Sequence, residues 1–208
     1  MTKISFLGDS IRMQYAPCVK EMLGEGHEVF QPSENCRFAK YTLRGMWDWK
    51  EGMKGSRIVH WNNGLWDICD IFGDGIFTSK EEYVVNMLRV ADILLSRHET
   101  VIFATTTPVR PENPHNKNEW IEDYNAAIVP LLKEKGVIIN DLYSLVAADI
   151  PRYVSDDLIH LSEEGIQLCA KAVEKAILDA EKLLSSNVKS DTSDTEELSA
   201  GAPVAFGG

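Results

Sequence analysis

Short apolar runs alternate along this chain with longer stretches in which apolar residues recur every three or four positions. The short runs are Ile4-Ser5-Phe6-Leu7, His27 to Phe30, Ser56 to Trp61, Thr100 to Thr105 and Val137 to Asp141. Each is bounded by turn residues and is too brief for a helix, so each reads as a buried strand. The first long stretch carries Met13, Ala16, Val19, Met22 and Leu23 at helical spacing and stops at Gly24 and Gly26. A second opens on Ser79-Lys80-Glu81-Glu82, a capping box, and runs to about Arg97 through Tyr83, Met87, Ala91 and Leu94. A third spans Asn118 to Lys135, closed by Gly136, and a fourth follows Ser162-Glu163-Glu164 with Ile166, Ala170, Val173, Ile177 and Leu184 inward. Leu43 to Trp49 suggests a shorter helix, and 65–78 a loop. Five strands alternating with helices predict a parallel sheet covered on both faces, with ligands outside the carboxyl ends of its strands.

The pattern fades near residue 186. Residues 1–185 read as a single α/β domain. Residues 186–208 form an acidic tail of Ser, Thr, Asp and Glu ending in small residues, too polar to offset its own ordering entropy, and are expected to be disordered. Thirty-two acidic against 21 basic side chains give a formal charge of −11, which repels phosphate backbones and argues against a nucleic-acid partner. No apolar run approaches membrane-spanning length, and no signal peptide is visible, so the expected compartment is cytoplasmic, with no membrane partner. Cys18, Cys36, Cys69 and Cys169 are scattered without a CxxC pair, as expected of free thiols and not of a zinc site.

Three segments fall at the carboxyl ends of predicted strands. In Gly8-Asp9-Ser10, glycine permits a sharp turn, and Ser10 follows at a helix N-terminus whose free N–H groups favour developing negative charge. Asp9 or Ser10 could equally be a plain helix cap. Asn62-Asn63-Gly64 is a turn after the third strand. After the fifth strand, Asp157-Leu158-Ile159-His160 sets a carboxylate three residues before an imidazole. The carboxylate can then hold Nδ1–H while Nε2 takes a proton from Ser10, the logic of a Ser-His-Asp triad. Asp156 is the runner-up to Asp157.

In these three motifs and their order, residues 1 to about 185 resemble the SGNH hydrolases, or GDSL esterases, particularly small carbohydrate-esterase-like members. The resemblance implies a flavodoxin-like three-layer α/β/α fold and ester hydrolysis through an acyl-serine, without metal or organic cofactor. It implies Ser10, His160 and Asp157 as catalytic residues and an oxyanion hole from the Ser10 N–H and the Asn62 side chain, with Asn63 as the alternative. The family's second motif contributes a glycine N–H. Here the corresponding segment is Glu34-Asn35-Cys36-Arg37-Phe38, so the N–H of Arg37 or Cys36 is expected in its place, with Gly45 a later substitute.

Asp9, Trp61, Asn63 and Trp66 flank the motifs and are candidate substrate contacts, since tryptophan faces stack on sugar rings, although large aromatics more often sit in cores. The same two readings apply to Trp47 and Trp49. Arg12 suggests a structural ion pair, His60 a buried neutral residue and His115 a solvated one, while Thr105, Thr106 and Thr107 stand beside the expected pocket. The expected activity is hydrolysis of short acyl esters, acetyl above all, on a polar small molecule or oligosaccharide. The rivals are a thioesterase, lysophospholipase or acyltransferase of the same fold, and a catalytically silent carbohydrate- or peptide-binding protein. The oligomeric state is left open.

Overall fold

The computed structural model describes residues 1–196. Five parallel strands, β1 (Thr2–Leu7), β2 (His27–Phe30), β3 (Ile58–Trp61), β4 (Thr100–Ala104) and β5 (Ile138–Asn140), form one sheet in the order β2-β1-β3-β4-β5. β1 and β3 run side by side with Phe6 opposite His60 and Leu7 opposite Trp61, so the turns after both strands meet at the middle of the carboxyl edge. All four residues of β3 and the last four of β1 are buried, the near-continuous burial expected of strands covered on both faces. The fold is the predicted three-layer α/β/α arrangement.

The helices are α1 (Ser10–Leu23), α2 (Ala39–Asp48), α3 (Lys50–Met53), α4 (Lys80–Leu95), α5 (Asn118–Glu134), α6 (Leu142–Ala147), α7 (Ile150–Tyr153) and α8 (Glu163–Glu196). Helices α1 and α8 pack together on one face; α2, α4 and α5 pack in series on the other. The capping box works as read: Ser79 accepts from the Glu82 N–H.

Three differences from the sequence expectation have physical reasons. Helix α2 begins at Ala39 and not near Leu43, because its first N–H is capped by a distant carboxylate, with both oxygens of Asp67 within 3.2 Å of the Ala39 nitrogen. The segment after β5 contains α6 and α7, each too short to show a helical period. Helix α8 continues to Glu196, so residues 186–196 of the expected disordered tail are helical; extending an anchored helix avoids the cost of nucleation. The rest of that tail lies outside the described residues. Among the described residues no helix is long and apolar enough to cross a membrane. All four cysteines are free thiols.

Candidate active site

The chain turns sharply between β1 and α1 at Gly8, where φ is +155° and an added Cβ would lie 2.0 Å from Asn62 Oδ1. Only glycine fits so close an approach of backbone to side chain. Asp9 caps α1 by accepting from the Ile11 N–H at 3.0 Å, and Ser10 becomes the first helical residue. The cap reading therefore falls to Asp9, which leaves the Ser10 side chain free of that task.

The Ser10 hydroxyl lies 2.8 Å from His160 Nε2, and His160 Nδ1 lies 2.7 Å from Asp157 Oδ2. With a carboxylate against Nδ1, that nitrogen carries the proton, and Nε2 is left to accept from Ser10. Burial works to raise the Asp157 carboxyl, but it is outweighed by the N–H groups of His160 and Ile159, the Ser155 hydroxyl and the imidazole. The group is held well below the usual carboxylate range. Asp156 points away, its carboxylate fully exposed and paired with Arg110 at 3.0 Å. The runner-up is thereby set aside.

Asn62 Nδ2 donates to Asp9 Oδ1 at 2.9 Å. An amide nitrogen carries two N–H groups, so one remains for a ligand. The Ser10 N–H, first in its helix, has no intrahelical acceptor either. Asn63 is different: its Nδ2 donates to the Arg37 carbonyl at 2.7 Å, its Oδ1 accepts from Trp61 Nε1 at 2.7 Å, and the residue is fully buried. The second-loop donors are also committed. The Arg37 N–H donates to Asn35 Oδ1 at 2.7 Å and the Cys36 N–H to the Gly8 carbonyl at 3.0 Å. Arg37 does adopt φ +48°, the left-handed conformation that a glycine would take. The expectation of a free Arg37 donor is thus corrected: its N–H closes a local turn. Gly45 sits buried inside α2, packed against the Trp49 ring.

Three of the four expected substrate contacts are likewise corrected. Asp9, Trp61 and Asn63 are wholly buried and cannot touch a ligand. Trp61 packs against Phe103 with ring centroids 5.0 Å apart, as a strand residue covered on both faces must. Burial pushes the Asp9 carboxyl up, against the bonds from Asn62 and the Ile11 N–H and the charge of Arg12. Trp66 alone reaches the cavity beside the serine, which holds about 490 Å³. The apolar side of that cavity includes Leu65, Trp66, Ile71, Leu158 and Ile159; Asn113 and His115 supply polar groups, while Asn116 is buried behind them with its amide on the Leu65 carbonyl. From Trp66 an aromatic row runs outward through Phe38 and Phe77 to Phe72, ring centroids 5.6 to 6.3 Å apart, and Phe72 is 78% exposed. Trp49 is buried and donates to Glu34, while Trp47 stands exposed under Lys50.

His60 is buried between Tyr15 and Asn140, and desolvation lowers it to about 3, so it is neutral as expected. Thr105, Thr106 and Thr107 are buried behind the site and do not face the cavity; Thr106 donates to the Asn63 carbonyl. Among the described residues Arg12 has no ion-pair partner. It is 1% exposed and donates to Gln31 Oε1 and to the carbonyls of Gly8, Pro32 and Glu34. Sequence reasoning passed over Asp67, Gln14, Arg110 and Asn113, which hold the site's loops. The one signal for Asp67 was its place three residues beyond the turn glycine Gly64.

Neither a protein-family model nor a curated protein sequence matches the chain. Solved structures do match its fold. The acetyl xylan esterase AlAXEase superposes with TM-score 0.72 at 18% identity, over 84% of this chain and 99% of that one. The lipase/acylhydrolase from Enterococcus faecalis gives 0.71 at 17% identity, over 85% and 95%. A GDSL-like lipase from Bacteroides thetaiotaomicron gives 0.69 at 17% identity, over 86% and 89%. The chain therefore has the SGNH hydrolase fold.

Proposed function

We propose that the protein is a serine ester hydrolase acting through an acyl-enzyme on Ser10. The observation that carries this reading is the unbroken chain from the Ser10 hydroxyl through His160 to Asp157, with contacts of 2.8 and 2.7 Å, at a helix N-terminus. Ser10 Oγ attacks the ester carbonyl carbon while His160 Nε2 takes the hydroxyl proton. The carbonyl oxygen becomes an oxyanion, stabilised by the Ser10 N–H and the free N–H of Asn62. His160 then returns its proton to the departing alcohol. Water, deprotonated by the same nitrogen, attacks the acyl-serine; the bond to Oγ breaks, His160 returns its proton to Ser10, and the acid leaves. Asp157, kept ionised, stabilises the imidazolium formed in each half.

The proposed substrate is a short acyl ester, acetyl first, of a polar molecule such as an oligosaccharide. Support comes from Trp66 and the amide of Asn113 beside the cavity, and from the acetyl xylan esterases among proteins of this fold. A second reading, a lipase- or thioesterase-like preference for longer apolar chains, is favoured by the exposed row from Trp66 to Phe72. Rates on para-nitrophenyl esters from acetate to decanoate, beside acetylated xylan and mannan oligosaccharides, decide between them. The first reading expects kcat/KM to fall beyond butyrate and acetate release from the sugars; a steady rise with chain length and no acetate release supports the second. No hydrolysis of any ester would remove both.

A further inference from the structure

The loop that carries His160 is fastened to the rest of the molecule by two side chains that touch no reacting atom. Gln14 lies one helical turn after Ser10, so both side chains leave the same face of α1. Its amide pairs with the main chain of Leu161, the residue after His160, in both directions. Nε2 donates to the Leu161 carbonyl at 3.2 Å, and Oε1 accepts the Leu161 N–H at 2.9 Å. The side-chain amide thus stands in for a neighbouring peptide group, and it joins the serine's helix to the imidazole's loop across 147 residues of sequence.

Arg110 holds the same loop from the opposite side. Its Nε and Nη2 donate to the Val154 carbonyl at 3.0 and 2.8 Å, and Nη2 reaches the Pro151 carbonyl and Asp156 as well. Its own N–H donates to the Leu158 carbonyl at 3.0 Å, which also accepts from Asn113 at 3.2 Å. Leu158 sits between Asp157 and His160 with φ +74°, a conformation that a leucine keeps only when its surroundings enforce it. Val154 pairs with Leu161 in an antiparallel bridge, so the two fasteners act on the two strands of one small hairpin with His160 at its edge. Arg110 is in turn based on Val109, whose N–H and carbonyl are both taken by Asn118.

We infer that Gln14 and Arg110 are positioning residues: Gln14 sets the Ser10–His160 separation, and Arg110 holds the strained turn that keeps Asp157 behind His160. The inference rests on the proposed roles of Ser10, His160 and Asp157. Displacing a reacting pair by about an ångström costs on the order of a hundredfold in rate without weakening substrate binding, so the signature is a loss in kcat and not in KM.

The test measures kcat, KM, the pH profile and thermal unfolding on para-nitrophenyl acetate for Gln14→Leu, Gln14→Glu, Arg110→Lys and Ser10→Ala. Gln14→Leu keeps the side chain's bulk and loses both bonds; kcat should fall roughly 10- to 100-fold, with KM within about threefold. Gln14→Glu keeps the acceptor for the Leu161 N–H and should fall between Leu and wild type. Arg110→Lys keeps the charge but cannot span two carbonyls and a carboxylate, so it should also lose about tenfold in kcat. The acid limb of kcat/KM should stay in place in the Gln14 variants, which leave the His160–Asp157 contact untouched, and should move in Arg110→Lys, which loosens the turn behind it. If Gln14→Leu does not fold, the Glu and Lys variants carry the same comparison. Wild-type kcat within about twofold in the folded variants, with Ser10→Ala inactive, overturns the inference alone. Persisting hydrolysis by Ser10→Ala overturns the reading of the site, and the inference with it.

Discussion

Two irregular segments meet at the carboxyl edge of the sheet, and they are held in different ways. Residues 154–161 present chemistry on side chains: Asp157 and His160 face outward to Ser10, half exposed, with hydrogen bonds gathered on one carboxylate. Residues 31–38 present their own main chain inward to buried polar groups. Arg12 takes the carbonyls of Pro32 and Glu34, Asn63 takes that of Arg37, and Asp67 caps the helix that follows. One carboxylate therefore serves each loop, in opposite environments. Asp157, rich in donors, is depressed; Asp67, desolvated with few donors, is raised to about 7. A group at the rim can react, whereas a group beneath it fixes the shape against which the reaction occurs.

The largest effect should come from the rim. His160→Ala should lower kcat/KM by about 10⁶-fold, as loss of the base does in triad enzymes, with little change in thermal unfolding. Steady-state kinetics and calorimetry on one preparation check both halves. On the inner side, Asn62→Ala should cost about 10²–10³ in kcat, one oxyanion donor's worth. Asn63→Ala should act on stability, since it releases the Arg37 carbonyl and Trp61 Nε1; if it takes the larger loss in kcat, the two asparagines have been assigned the wrong way round.

A smaller effect concerns pH. The folded Asp67 binds its proton more tightly than the unfolded chain, whose value is near 3.8, so its contribution to stability declines as pH rises from about 4 to 7. Denaturant unfolding of wild type and Asp67→Asn across that range should show the wild type losing ground steadily toward neutral pH. A constant difference would mean that Asp67 is ionised throughout. The smallest effect belongs to the exposed neighbour. Asp156→Asn removes one surface ion pair with Arg110 and should change kcat by less than about twofold and stability by less than ~0.5 kcal/mol.

The same contrast explains what could be read from the chain. The Asp157-to-His160 spacing is local, and the strand pattern fixes which ends meet, so the sheet and the meeting of Ser10, Asp157 and His160 at its carboxyl edge were legible in sequence. The inner loop was not, because its contacts link residues far apart. The start of α2 depends on Asp67, and the Arg37 N–H is taken by Asn35, two residues back, in a turn that composition does not announce. Trp61 looked like a sugar platform beside the turn, yet a central strand flanked on both faces leaves its side chains no exit. Gln14 and Arg110 are ordinary surface residue types until the tertiary fold brings them to the His160 loop.

The central claim is that Ser10 is the group that becomes acylated, and active-site labelling tests it most directly. Wild type, His160→Ala and Ser10→Ala would be treated with a serine-directed fluorophosphonate, digested and mapped by mass spectrometry. The account predicts a single adduct on Ser10 that parallels loss of ester hydrolysis, slows sharply in His160→Ala and disappears in Ser10→Ala. Ser155 and Ser162 are engaged with Asp157 and with the Arg152 carbonyl and should remain unlabelled. An adduct on either of them, or hydrolysis that survives in Ser10→Ala, would contradict it.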